Sequence, residues 1–271
     1  MHRLTLPVLL ILLALGAAST GVARAQEQRL YAGVTALASQ LGASVDKRVD
    51  TRAPDTLVPE PRRGRLLHDR DTGETAAYGP GLLAGYRHPV IGNALYVGVE
   101  VDVAFDSDAV QSQFQGIGES AGRNQLGESW PDHWTFDSGR NYGVSVRLGV
   151  AAGPLRTWDA SVYALVGLRR TDGAYTTRFN GCLSPMLCSS APDTPDFVSG
   201  TDSRELDFQG TTLGIGFERW VRQRVAIRIE LRHTQYDDEV WVAPFDEVGV
   251  TVPTAVGGEQ SGLMVSLART F

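Results

Sequence analysis

Hydrolytic chemistry would need a nucleophile, a base and an orienting acid within hydrogen-bond reach. His233 is the candidate base, with Ser266 or Thr234 as nucleophile and Glu230 as the acid. Parity divides this set. In an extended segment His233 shares a face with Leu231, while Ser266 falls on the opposite face of its own strand. No His-x-Ser motif is present, since the segment reads His233-Thr-Gln, and His68, His88 and His133 stand isolated. With the constellation incomplete, the chain is expected not to be an enzyme. Glu100 and Asp102 resemble a pair of acid–base carboxylates, but ion pairing with arginines on neighbouring strands explains them more simply. The pairs Gly79/Gly81 and Gly214/Gly216 are not phosphate loops, because no helix follows them. They suit the relief of crowding inside a narrow barrel. Cys182 and Cys188 sit close together in the turn-rich stretch Asn180-Gly-Cys-Leu-Ser-Pro-Met-Leu-Cys-Ser-Ser190. A metal site would need further ligands nearby, so a small loop disulfide is expected in an oxidising compartment. No metal or cofactor is called for.

The compartment is set by the first residues. Arg3 precedes an apolar run over 6–18, and Ala23-Arg24-Ala25 follows, the arrangement of a secretory signal peptide. The run is too short to span a bilayer comfortably. Cleavage after Ala25 is expected, giving a signal peptide over 1–25 and one domain over 26–271. With Arg3 and Arg24 taken from the 25 basic residues, 23 face 31 acidic ones, a net charge of −8. That balance argues against nucleic acid as a partner. No later segment has the length of a transmembrane helix, so a membrane protein with this sequence would have to be a barrel.

The elements that carry these residues are strands. From Leu263, the residues Leu263, Val265, Leu267 and Phe271 alternate with Met264, Ser266, Ala268 and Thr270, the period of two that marks a strand. A chain stopping on Phe271 suits a barrel that closes its last strand on its first, because closure removes both edges. Seven more strands precede it: 30–38, 74–87, 95–105, 142–150, 158–169, a segment ending in Leu213, Ile215 and Phe217, and 225–232. The third is the clearest, with Leu95, Val97, Val99, Val101, Val103 and Phe105 alternating against Tyr96, Gly98, Glu100, Asp102 and Ala104. Long insertions over 39–73, 106–139, 171–204 and 236–257 alternate with short turns over 88–93, 153–154 and 219–223. An even-stranded barrel threaded from the periplasm sorts its connections in this way. A soluble sandwich or lipocalin could supply eight strands but has no reason to sort its loops by length. The expected fold is therefore an all-β, eight-stranded antiparallel up-and-down transmembrane barrel, with short periplasmic turns and four long extracellular loops.

One face of each clear strand is apolar. The other carries Glu100, Asp102, Arg147, Asp159, Arg169, Glu218, Arg228, Glu230 and Arg232. In a soluble barrel these charges would meet water. In a membrane barrel they point inward, where eight strands leave an interior just wide enough to be filled by side chains. Four positive and five negative groups there would have to pair, since a buried unpaired charge is costly. That near balance favours a filled, ion-paired interior over an open pore. Tyr86, Trp158 and Phe271 lie near strand ends on the short-turn side, as an aromatic girdle would. Trp130, Trp134, Trp241 and Phe245 fall in the long insertions, where they either offer a binding surface or pack the loops on one another.

Three segments resemble a known group, the small eight-stranded outer-membrane barrels typified by the outer-membrane protein A transmembrane domain and the opacity-like porin family. Arg228-Ile-Glu-Leu-Arg-His-Thr-Gln-Tyr236 is similar to that family's penultimate strand, with His233 where a tyrosine is usual. Gly262-Leu-Met-Val-Ser-Leu-Ala-Arg-Thr-Phe271 is similar to its closing strand, and Leu30-Tyr-Ala-Gly-Val to its opening one. The resemblance implies that Leu267 and Phe271 belong to a C-terminal signal read by the barrel-assembly machinery, with Arg269 a departure from the pattern. It also implies residence in the outer membrane of a Gram-negative bacterium, among outer-membrane lipid and lipopolysaccharide. A structural or surface-interaction role follows, with an extracellular ligand met through the long loops. A narrow passive pore and a lipid A-modifying enzyme are the alternatives.

Overall fold

A computed structural model of the chain describes residues 30–56, 63–91, 94–105, 108–114, 133–182, 197–246 and 249–271. Ten strands and one short helix follow in chain order: β1 (Leu30–Asp50), β2 (Leu66–Ile91), β3 (Leu95–Phe105), β4 (Ala109–Gln113), β5 (His133–Val150), α1 (Pro154–Thr157), β6 (Ala160–Cys182), β7 (Phe197–Arg222), β8 (Val225–Tyr236), β9 (Glu239–Phe245) and β10 (Val250–Thr270). Eight of the strands close a ring in the order β1-β2-β3-β5-β6-β7-β8-β10, and β10 returns to β1 from Tyr31↔Thr270 to Asp50↔Thr251. Every pairing is antiparallel, and the Phe271 amide donates to the Leu30 carbonyl (3.0 Å), next to the first rung of the closure.

The connections at one end of the ring are short. Between β5 and β6, Gly153 takes the left-handed conformation (φ 58°) that admits Pro154 as the first residue of α1. Asp159 closes that turn, also left-handed (φ 51°), a conformation Asp tolerates better than most side chains.

At this end the outward face is apolar, with Val34, Leu82, Val101, Leu148, Leu168 and Ile215 all exposed. Patches of this extent are far larger than the few hundred Å² a soluble monomer leaves bare. The band spans β3, whose 11 residues extend roughly 36 Å along the strand. With the usual tilt, that length matches the ~25 Å apolar belt of an outer-membrane barrel. Tyr86, Trp158 and Phe271 border the band on the short-turn side, while Tyr78, Phe105 and Tyr142 border it on the other. Pro80 sits inside β2 without breaking the ring: the Tyr78 amide, two residues earlier and on the same edge, turns to the Asp108 carboxylate (3.0 Å), and the ladder to β3 begins only at Gly81.

The strands do not stop at the second girdle. β6 has 23 residues and β7 has 26, roughly 75 Å or more of extended chain each. Much of the 39–73, 171–204 and 236–257 insertions is therefore strand, not loop. Above the band, β2 pairs β1 but not β4, and β7 pairs β6 but not β9. The ring splits there into two four-stranded sheets, β9-β10-β1-β2 and β4-β5-β6-β7. Between them lies an apolar core that includes Leu41, Val45, Phe114, Trp134, Phe136 and Phe208. This cap is a sandwich built on the barrel's own staves.

Candidate functional site: a filled lumen beneath an external cap

Inward parity brings charges from six strands into the lower lumen, where they form one alternating chain. Arg87 Nη1 meets Glu218 Oε1 at 2.6 Å, and Glu218 Oε2 meets Arg228 Nε at 2.6 Å. Arg228 Nη1 reaches Glu100 Oε2 at 2.8 Å, and Glu100 is bridged to Arg147. Arg147 Nη2 meets Glu230 Oε1 at 2.7 Å, and Glu230 Oε2 meets Arg232 Nη2 at 2.6 Å. Arg232 Nη1 then reaches Asp102 Oδ1 at 2.9 Å, Asp102 Oδ2 meets Arg169 Nη2 at 2.7 Å, and Arg169 Nη1 donates to Asn141 Oδ1 at 3.1 Å. Glu100 and Glu230 are wholly buried. Taking such ions from water costs several kcal/mol each. Alternation meets that cost, because every carboxylate in the chain touches at least two guanidinium groups.

Two residues differ from the set expected by parity. Asp159 is not in the lumen; it lies in the turn after α1, where its amide donates to the Arg156 carbonyl (3.3 Å). The helix interrupts the alternation on which its inward placement rested. Arg87 was absent from that set and joins the chain at its lower end, buried beside Tyr96. Its neighbours His88 and Pro89 read as a turn in the sequence, which hid a strand that continues to Ile91.

Three tyrosines fill the remaining space by one device. Tyr31, Tyr96 and Tyr163 lie directly across the sheet from Gly85, Gly149 and Gly216. A methyl group added at any of these glycines would overlap the facing ring. The other side of each ring carries a guanidinium: Arg228 over Tyr31 at 4.2 Å, Arg87 over Tyr96 at 3.5 Å and Arg147 over Tyr163 at 4.9 Å. Tyr163 Oη donates to Glu230 at 2.5 Å. The glycines are small so that the tyrosines can lie flat.

A polar layer joins this network to the cap. Asn141 Nδ2 donates to Tyr236 Oη and to Gln260 Oε1, both at 3.1 Å, and Gln260 Nε2 donates to Ser39 Oγ at 3.0 Å. A cavity of about 10 Å³ lies here, room for about one water. Above it the apolar core closes, with Phe136 edge-on to Phe208 (5.3 Å) and Tyr175 edge-on to Trp241 (5.7 Å).

The sheet keeps the hydrolase candidates apart. His233 is on the outer wall, with its Nδ1 2.8 Å from Ser261 Oγ. Ser266 and Glu230 are buried in the lumen, and Thr234 there bonds Thr212 (2.8 Å). His68 pairs with Asp46 (2.7 Å) on the outside of the cap, His88 stacks on Tyr86, and His133 is exposed. Among the described residues no group of three His, Cys, Asp or Glu side chains could hold a metal ion. Trp134 belongs to the cap core, where its indole donates to Asp71 at 2.8 Å, and Trp241 is partly buried against that core. Leu267 and Phe271 face outward at the short-turn end. At the cap rim, Arg52 bonds Asp50 and holds its carboxyl down to about 2. Trp130, the side chain of Phe245 and the pairing of Cys182 with Cys188 lie outside the described residues.

Comparison with known proteins gives one match by family and several by structure. The outer membrane protein beta-barrel domain matches residues 10–256. Among solved structures, the attachment invasion locus protein Ail of Yersinia pestis is 12% identical, with 86% of this chain and 97% of that chain covered, at a TM-score of 0.28. The outer membrane protease OmpT from Escherichia coli is 9% identical over 90% of this chain and 97% of that one, at 0.42. Neisserial surface protein A is 11% identical over 83% and 96%, at 0.28. No curated protein matches the chain.

Proposed function

This chain belongs to the outer membrane protein β-barrel family, and from that premise we propose that it is a closed, non-conducting and non-catalytic barrel whose work is done by the cap it raises outside the cell. The observation that carries this reading is the lumen. Nine alternating charges and three tyrosine rings occupy its lower half, and an aromatic core occupies its upper half. A conducting path needs a water column, and these two layers leave room for about one water at their junction. Catalysis finds little footing on the outer wall, where among the described residues His233 bonds Ser261 with no carboxylate on its other nitrogen.

In this proposal residues 1–25 direct export and are removed. Leu267 and Phe271 are read by the barrel-assembly machinery, and the apolar band sits among outer-membrane lipid and lipopolysaccharide. The two-sheet cap then stands on the extracellular side as a rigid interaction platform. Refolded protein in planar bilayers tests the closed lumen: the expected trace is flat, and steady unitary currents would overturn the reading. Shortening the β6–β7 hairpin above the band tests the platform. Surface binding is expected to go while the boiling-dependent gel shift of a closed barrel remains.

A further inference from the structure

The two borders of the apolar band carry charge differently. On the cap side Arg140 and Arg170 stand among Asp108, Asp137, Asp172 and Asp207. At the short-turn end Arg156, Arg219, Arg222, Arg224 and Arg269 have Asp159 as the single acidic side chain beside them among the described residues. No carboxylate among those residues pairs with Arg156, Arg222, Arg224 or Arg269. Backbone hydrogen bonds tie their segments together: the Trp220 amide donates to the Asp159 carbonyl and the Thr270 amide to the Arg224 carbonyl, both at 2.9 Å. Across the ring, the β2–β3 end shows Val90 and Ile91 outward and no outward arginine or lysine. The basic charge is a patch, not a belt.

Register orders three of these arginines on the outer wall. Ala226, Arg228 and Glu230 are the inward side chains of β8, so Val225 and Ile227 face out. Arg222 and Arg269 flank Val225 in one row, and Arg219 and Leu267 flank Ile227 in the next. Strand spacing sets the Cα atoms of Arg222 and Arg269 roughly 10 Å apart, a gap that two arginine side chains can close on one phosphate. A bulge aims the first of them. Counted from Glu218 and Trp220, Arg222 would point into the lumen, but the register shifts between Trp220 and Arg222 and brings it opposite Val225. Ile229, Leu231, Leu263 and Val265 continue the same outward columns into the apolar band. The exposed Phe271 ring lies 6.0 Å from the Arg269 guanidinium.

We propose that this patch on β7, β8 and β10 binds the headgroup of an anionic phospholipid in the periplasmic leaflet. Arg222 and Arg269 hold the phosphodiester through paired N–H donors, and Arg219 adds its charge from the next row. The acyl chains lie along the columns of Ile227, Ile229, Val265 and Leu267. Charge selects a lipid of net negative charge over a zwitterionic one, whose own ammonium would bring a further cation to a site short of carboxylates. Lipopolysaccharide is anionic too, but with the cap outside the cell it meets the other border, where the carboxylates stand. The inference rests on that placement of the cap and names a lipid contact at the opposite end.

The test uses the full chain refolded in phosphatidylcholine vesicles, with spin-labelled phosphatidylglycerol or spin-labelled phosphatidylcholine as the probe. Both leaflets then hold the same lipid, so the direction of insertion does not matter. Phosphatidylglycerol is expected to be motionally restricted in preference, with a relative association about fivefold or more that falls as salt is added. Arg222→Gln combined with Arg269→Gln should bring the two lipids level. Arg140→Gln combined with Arg170→Gln, an equal charge change at the cap-side border, should not. Equal restriction of the two lipids by the unaltered chain, a preference that survives the first pair, or one that the second pair also removes would overturn the proposal. Unlabelled lipid A that displaces the probe more strongly than phosphatidylglycerol at equal phosphate would assign the patch to lipopolysaccharide and overturn it equally. If the first pair loses its boiling-dependent gel shift, Arg222→Gln alone, which leaves β10 untouched, is read by the same criteria. An impermeant maleimide on intact cells carrying Thr72→Cys checks the placement separately. Labelling beyond that of the unaltered chain keeps the cap outside, so that a missing lipid preference sinks the patch alone; no added labelling would sink the placement and the leaflet with it.

Discussion

The two halves of this barrel solve opposite problems with the same strands. In the lower half apolar side chains face outward and charges face inward; in the cap the outward face is polar and the lumen is apolar. Strand β6 shows both within one run: Val162, Val166 and Leu168 face out below, with Arg169 inward, while Arg170 and Asp172 follow above and Tyr175 turns into the core. Only the surroundings change. A lipid-facing wall must be apolar, so polarity goes inside. A wall in water has no such need, and its core is stabilised by apolar burial. The inside of a barrel is decided by what lies outside it.

The sharpest way to break the lower half is Glu100→Ala. It removes a carboxylate that touches Arg147, Arg228 and Arg232, and stranding buried guanidinium groups should cost about 3–5 kcal/mol. A large fall in the urea midpoint of the vesicle-refolded barrel would show it. In the cap, Phe208→Ala opens a cavity beside Phe136 and Tyr236, with an expected cost of about 3 kcal/mol. Here the effect should be local: faster proteolysis and amide exchange above the band, with the gel shift of the lower barrel intact. If both halves melted together, the cap and barrel would be one cooperative unit and the contrast between them would fail.

Gly149→Ala probes the tyrosine device. Its methyl group meets the Tyr96 ring, and overpacking of this kind costs about 1–3 kcal/mol; an unchanged urea midpoint would mean the ring has room to move. Arg170→Ala, which removes an exposed pair with Asp207, should leave the urea midpoint almost where it was, because water screens such a pair. A larger loss would show that the outer rim is dry.

Much of the lower half is legible in the sequence because lipid enforces strict alternation. Leu95 to Phe105 states its own parity, and with it the inward placement of Glu100 and Asp102. The cap is harder to read for a physical reason. Over 39–50, Leu41, Ala43 and Val45 alternate with Gln40, Gly42, Ser44 and Asp46, a soluble-strand pattern of modest contrast, and its charges and small residues look like a loop. Trp134 and Phe136 have the same inward parity, but the charged and polar residues around them hid it. Asp159 shows the limit of counting by twos, since one helical turn shifts the phase. The split into two sheets rests on which strands fail to pair, and no single strand carries that information.

The continuity of the staves has a mechanical consequence. Both sheets of the cap are extensions of barrel strands, with β1, β2, β6, β7 and β10 running unbroken from one region into the other. A pull on the cap is therefore directed along these strands and loads many backbone hydrogen bonds in shear at once, instead of peeling them one by one. The cap is anchored as a mast is stepped through a deck, and traction from outside is carried down into the charged interior.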